Sequence, residues 1–153
     1  MPDRRYCFDI LRSPSSISDV LEAYALRRRR PSARCIIDWS LHMVAVDTAK
    51  AWAGPLAAKD LVRLNTLEGS LALARDAEFN GGYHDVHCWV FTPHSFAALC
   101  SELAGHGLMH FECEWIDATR HNELEFLASL KPARSSALAL QSWSDAKRFL
   151  AAA

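Results

Sequence analysis

Tyr83-His84-Asp85-Val86-His87-Cys88-Trp89-Val90-Phe91-Thr92-Pro93-His94-Ser95-Phe96 is the stretch that decides how this chain is organised. Its middle, His87 to Thr92, is rich in aromatic and β-branched residues, which predicts a short strand. Thr92-Pro93 then places an N-cap hydroxyl before a proline whose fixed φ suits the first helical position. Phe96, Leu99, Cys100 and Leu103 recur at helical spacing, so a helix with that face buried follows, and Gly105 and Gly107 end it.

Downstream, Met109, Phe111, Cys113 and Trp115 alternate with polar residues, as do Leu124, Phe126, Ala128 and Leu130. Period-2 alternation on both sides of Ala118–Asn122 predicts a β-hairpin turning there. Lys131-Pro132 closes it, the Ala/Ser/Arg stretch beyond reads as a linker, and Ser142 before Asp145, Ala146, Phe149 and Leu150 predicts a short final helix.

Upstream, Tyr6, Phe8 and Ile10 suggest an extended segment over 2–12, broken by Ser13-Pro14-Ser15-Ser16. Ile17, Val20, Leu21 and Tyr24 predict a helix from Ile17 to about Arg30, with Ser16 and Asp19 as a capping pair. Further helices are expected over 33–46, with Ile36, Trp39, Met43 and Val46 on one face, and over 60–79, with Leu64, Leu67, Leu71 and Ala74. Residues 47–59 read as a connection, and Asn80-Gly81-Gly82 stops the third helix.

The length of 153 residues suits one domain with a real core. A net charge of −1 favours neither nucleic acid nor an anionic membrane. Five cysteines without a Cys-x-x-Cys pair argue against a disulfide framework or a zinc ribbon and point to reduced thiols. With no apolar signal core and no run approaching the ~20 apolar residues of a spanning helix, the chain is expected to be soluble and cytoplasmic.

His84-x-x-His87 beside Cys88 is the densest group of potential metal ligands, but residues three apart on a strand face opposite ways and no further ligands complete a site. No metal is expected. Arg27-Arg28-Arg29-Arg30 reads as a solvated helix C-terminus complementing the macrodipole, without the interleaved aromatics of a nucleic-acid platform. Cys100 and Cys113 fall on apolar faces as packing, and no nucleophile elbow or phosphate loop occurs. Asp3, Arg4, Arg5, Tyr6 and Asp9 read either as a solvated terminus or as a polar binding wall in which arginine grips a carboxylate or phosphate.

Pro2-Asp3-Arg4-Arg5-Tyr6-Cys7-Phe8-Asp9, the Tyr83–Phe96 block and the paired strands over 109–131 together resemble the C-terminal part of class I S-adenosylmethionine-dependent methyltransferases. The resemblance implies an α/β fold: a partial Rossmann-like C-terminal half over 1–131, with a helical insertion at about 15–79 and a closing antiparallel hairpin, followed by a linker and short helix over 132–153. It implies a small-molecule methyl acceptor, with Arg5, Tyr6, Asp9, His84 and His87 near one another on a polar concave surface that binds it. The Gly-rich turn and acidic residue that hold the cofactor in that family lie in an N-terminal half that this sequence does not contain. The expectation is therefore that this chain alone neither binds S-adenosylmethionine nor transfers methyl groups, and would need a partner supplying that half. Asp38-Trp39 departs from the Asp-His expected in the insertion.

The alternative is a cofactor-free small-molecule-binding or protein-interaction module on the same scaffold. In either case the fifth strand that would flank Glu123–Lys131 is cut short, which exposes an edge beside Leu124, Phe126, Ala128 and Leu130. The chain is expected to dimerise, or to meet its missing partner, through 123–131 unless the N-terminal segment or the C-terminal helix covers it.

Overall fold

Side-chain oxygens that take up orphan backbone donors set where most of the helices begin. In the computed structural model, which describes residues 1–152, Ser16 and Asp19 form a reciprocal capping box at α1 (Ile17–Ala25). Ser32 caps α2 (Ala33–His42), Asp47 caps α3 (Thr48–Ala53) and Thr66 caps α4 (Leu67–Arg75). Thr92 and Ser95 build a second box at α5 (Pro93–Gly105), with Pro93 in its first turn as expected. The strands β1 (Phe111–Ile116) and β2 (Ala128–Pro132) pair antiparallel, and α6 (Ser136–Ala152) closes the chain. Helices with a two-stranded antiparallel sheet make the fold a mixture of α and β.

The larger core lies where α5 packs on α6 and α6 packs on β1. Trp143 is its centre: fully buried, edge-on to Phe96 at 5.6 Å, with its indole N–H donating to the Phe111 carbonyl at 2.8 Å. Leu99, Cys100 and Leu103 supply the buried face of α5, as their spacing predicts. A smaller core joins α2 and α4 through Ile36, Ala74 and Val86.

Several expectations need correction, each for a tertiary reason. Residues 4–12 are a run of turns, closed by Tyr6 N–H to Asp3 O, Ile10 N–H to Cys7 O and Arg12 N–H to Asp9 O. The buried side chains of Asp3, Asp9 and Arg12 overrule the period-2 pattern. The 87–92 segment is not a strand, because its backbone groups are taken from elsewhere. Ser15 Oγ accepts from Val90 N–H, Val90 O accepts from Ser15 N–H, and the Arg12 guanidinium donates to His87 O. Phe91 alone makes a bridge, parallel to Asp3.

The helical region over 17–80 is more broken than the apolar spacing suggests. α1 stops at Ala25, where Arg27 takes a positive φ of 47° and Arg28 N–H reaches back to Ala23 O, so the arginine run lies beyond the helix. α2 ends at His42, since Val44 leaves to bridge Arg63. The 47–59 connection contains α3. α4 starts only at Leu67, with Leu64 and Leu67 half exposed, and its buried positions are Ser70 and Ala74. Ser70 Oγ donates to Ser40 Oγ of α2 at 3.0 Å, so a hydrogen bond stands where an apolar stripe was expected. A π-turn over Asp76–Asn80 follows, and Gly81 with φ 71° ends it as expected.

In the hairpin, the connection runs from 117 to 127 and a bulge between Cys113 and Trp115 shifts the alternation, leaving Trp115 half exposed while Ile116 is buried. The supposed linker is the start of α6, where Ser135 Oγ accepts from Leu138 N–H. Ser142 sits inside that helix, not at its cap, and accepts from Cys113 N–H at 3.0 Å, docking α6 on β1.

Residues 1–4 fill the place beside 124–126. Phe126 N–H donates to Met1 O at 2.9 Å and Asp3 N–H to Leu124 O at 2.8 Å, while Arg4 N–H reaches Phe91 O on the other side at 2.8 Å. The N-terminal segment is thus the cover over this part of the edge. Among the described residues, Ala128–Pro132 pairs only with β1.

Candidate functional site

Asp9 and Arg12 stand three apart in the turn segment with opposite charges, and both are buried, each 2% exposed. Burial of an ion pair is tolerated when the remaining lone pairs and protons find partners. Here they do. Asp9 Oδ1 accepts from Arg12 Nη1 at 2.8 Å and Asp9 Oδ2 lies 2.7 Å from His87 Nδ1. Arg12 Nε donates to Asp38 Oδ2 at 2.8 Å, and Asp38 Oδ1 lies 3.1 Å from His42 Nδ1, one turn along α2. The result is a continuous relay, His87–Asp9–Arg12–Asp38–His42, joining the turn segment, α2 and the stretch before α5. Burial works to lower the Arg12 pKa, but hydrogen bonds to Asp9 and Asp38 outweigh it and hold Arg12 above its ordinary value. Arg12 Nη2 has no hydrogen-bond partner among the described residues.

Arg12 and Asp38 also line a cavity of about 440 Å³, with Cys35, Cys88, Trp89 and Arg29 among the other walls. That volume falls within the range of small-molecule sites. Two further arginines on its wall are neutralised in place: Arg28 by Glu22 at 2.6 Å and Arg34 by Asp19 at 2.7 Å. Arg30 donates to Gly81 O at 2.9 Å, and Arg29 has no ion-pair partner among the described residues. The side chains lining the cavity thus carry more positive than negative charge, with exposed Trp89 and Tyr83 beside them.

The contacts divide the five residues expected at a shared surface. Asp9 and His87 meet directly, with Phe8 tilted against the imidazole at 4.6 Å. Arg5 forks onto buried Asp3 at 2.7 Å, and Asp3 also accepts from Thr119 Oγ1 at 2.6 Å. Tyr6 stacks on Trp52 at 3.9 Å, and the Arg5 guanidinium lies over the Tyr6 ring at 5.0 Å. His84 pairs instead with Asp76 at 3.0 Å. The two histidines of His84-x-x-His87 therefore serve different carboxylates, and no group of three or more His, Cys, Asp or Glu among the described residues is placed to hold a metal ion.

Arg12, Asp38 and His42 were not singled out as site residues by sequence reasoning. Two signals were available: the Asp9-x-x-Arg12 charge pair, and Asp38 and His42 four apart on one helix face. Only the resemblance groups Asp9 with His87; residue types and spacing alone do not tie them across 78 positions.

Comparison with protein-family profiles, with curated proteins and with solved structures finds no match. The functional reading rests on the site and on the sequence motifs.

Proposed function

We propose that this chain is the acceptor-side portion of a methyltransferase-like protein, catalytically incomplete alone, whose own task is to bind a small molecule. The observation that carries this reading is the Asp9–His87 contact at 2.7 Å. It joins the two motifs that carry the resemblance, as does the bridge between Asp3 and Phe91. Asp9 fixes one imidazole nitrogen and leaves Nε2 of the part-exposed His87 ring to take a proton from an acceptor hydroxyl or amine. His87 does not line the cavity; Arg12, which bonds both Asp9 and the cavity-lining Asp38, links the two, and Arg12 and Arg29 in the wall favour an anionic ligand there.

The described residues do not fit S-adenosylmethionine. Gly81-Gly82 follows a π-turn, Gly105 and Gly107 end a helix, and neither pair opens a helix after a strand, where backbone N–H groups would meet the cofactor. No step is derived through it. Titration calorimetry with S-adenosylmethionine should give no isotherm for this chain. Saturable low-micromolar binding, roughly −8 kcal/mol, would overturn the incomplete reading.

A second reading, a cofactor-free binding module, is favoured by a cavity complete within one chain. A ¹⁵N-NMR titration with benzoate, phenol and benzylamine distinguishes the two. Shifts confined to the cavity wall, without any added protein, support the self-sufficient module, whereas no response from the chain alone supports a site completed by a partner.

In this reading the chain works in the cytoplasm and engages no nucleic acid and no membrane; no helix among the described residues is long and apolar enough to cross one. The edge left at Ala128–Pro132 is where a second copy or a cofactor-binding partner would pair, in place of the full 123–131 span.

A further inference from the structure

We propose that Cys35 and Cys88 form a reversible oxidation site, closing to a disulfide that ties α2 to the segment leading into α5. Cys35 Sγ lies 3.9 Å from the carbonyl oxygen of His87, which is bonded directly to Cys88. Both thiols are half-buried, both open on the same cavity, and both pack against the cluster of Ile36, Ala74 and Val86. An oxidant whose reactive bond reaches into the cavity therefore meets two neighbouring thiols at once. The other neighbouring pair, Cys100 and Cys113, lies in the larger core with Cys100 only 2% exposed, so it lacks this access.

Chemistry assigns an order to the two sulfurs. Burial, and then the facing Cys88 thiol, push Cys35 up to about 12 and disfavour it as the attacking thiolate. With glutathione disulfide as oxidant, the Cys88 thiolate displaces one glutathione thiolate and forms a mixed disulfide. Cys35 then gives up its proton and attacks the Cys88 sulfur, releasing the second glutathione thiolate. Two protein thiols are oxidised and one glutathione disulfide is reduced to two glutathione molecules. The new bond crosses the cavity wall next to Asp38 and His87, so closure stiffens the site whatever it binds.

The test is peptide mapping by mass spectrometry after incubating the native chain with glutathione disulfide, beside Cys35→Ser and Cys88→Ser. The expected result is a Cys35–Cys88 cross-linked peptide, lighter by two hydrogens and released by dithiothreitol. Cys35→Ser should instead retain glutathione on Cys88, because the resolving thiol is gone. A wild-type chain that keeps glutathione adducts without an internal cross-link, that cross-links Cys100 to Cys113, or that does not react would overturn the proposal.

Discussion

Asp9 Oδ2 sits 2.7 Å from His87 Nδ1, and the same carboxylate holds Arg12 through its other oxygen at 2.8 Å. One buried carboxylate therefore orients an imidazole and neutralises a buried guanidinium. Asp9→Ala should destabilise the fold by about 3–5 kcal/mol, because Arg12 would be left charged, buried and short of a partner. Urea unfolding checks this. A loss under about 1 kcal/mol would mean that Asp38 alone satisfies Arg12.

Gly82 is held by space. A Cβ at this position would stand 1.8 Å from Asp76 Oδ2, the oxygen that pairs with His84 at 3.0 Å. Gly82→Ala should force that carboxylate away and break the pair. Since the clash involves only the Asp76 side chain, the cost should largely vanish in an Asp76→Ala background. A double-mutant cycle measures the coupling, expected at about 0.5–3 kcal/mol, and additive effects would refute the contact.

Trp143→Ala should cost about 3–5 kcal/mol, since it removes a fully buried indole. The Phe111 carbonyl also loses its donor. Trp143→Phe should recover most of the packing but not that hydrogen bond. Thermal unfolding of the two variants separates the contributions.

The α1 capping box makes stability depend on pH. Burial works to raise the Asp19 pKa, but the Ser16 backbone and hydroxyl donors and Arg34 outweigh it and hold Asp19 below the ordinary carboxylate range. A depressed folded-state value adds stability above the unfolded value, near about 3.9, and loses it as pH falls through the folded one. The stability gap between wild type and Asp19→Asn should therefore be flat near neutral pH and close on acidification below about pH 4. Denaturation midpoints across that range check the sign.

The N-terminal cover over the hairpin edge predicts a pattern of hydrogen exchange. The amides of Asp3, Arg4 and Phe126, which bond Leu124, Phe91 and Met1, should exchange slowly in a dilute sample. Rapid exchange at Phe126 would show that the edge is open and would favour self-pairing over 123–131.

The elements legible in the sequence were those set by neighbours a few residues apart. Ser16 with Asp19, Thr92 with Pro93, and Gly81 after Asn80 act within one helical turn, so their residue types suffice. Alternation misled where distant groups intervened. Tyr6-x-Phe8-x-Ile10 looks extended only until Arg12 is known to reach Asp38 and His87, and Trp89-Val90-Phe91 looks like a strand only until Ser15 and Arg4 occupy its backbone. In the candidate site, the resemblance grouped Asp9 with His87, and the two are in contact. It grouped Arg5, Tyr6 and His84 with them, and their contacts are with Asp3, Trp52 and Asp76, since a polar side chain does not announce its partner.

Pairing Met1 with Phe126 also sets a schedule for folding. The partners lie 125 positions apart, so the contact closes a long loop whose entropy must be met before the pairing rewards it. Helices such as α1 and α5 need only neighbours within a turn and form on a far shorter timescale. Until the seam closes, the backbone of residues 1–4 and the apolar row from Leu124 onward both lack partners. A chaperone that acts on this protein should therefore bind it before that contact forms, and release should coincide with closure of that last seam.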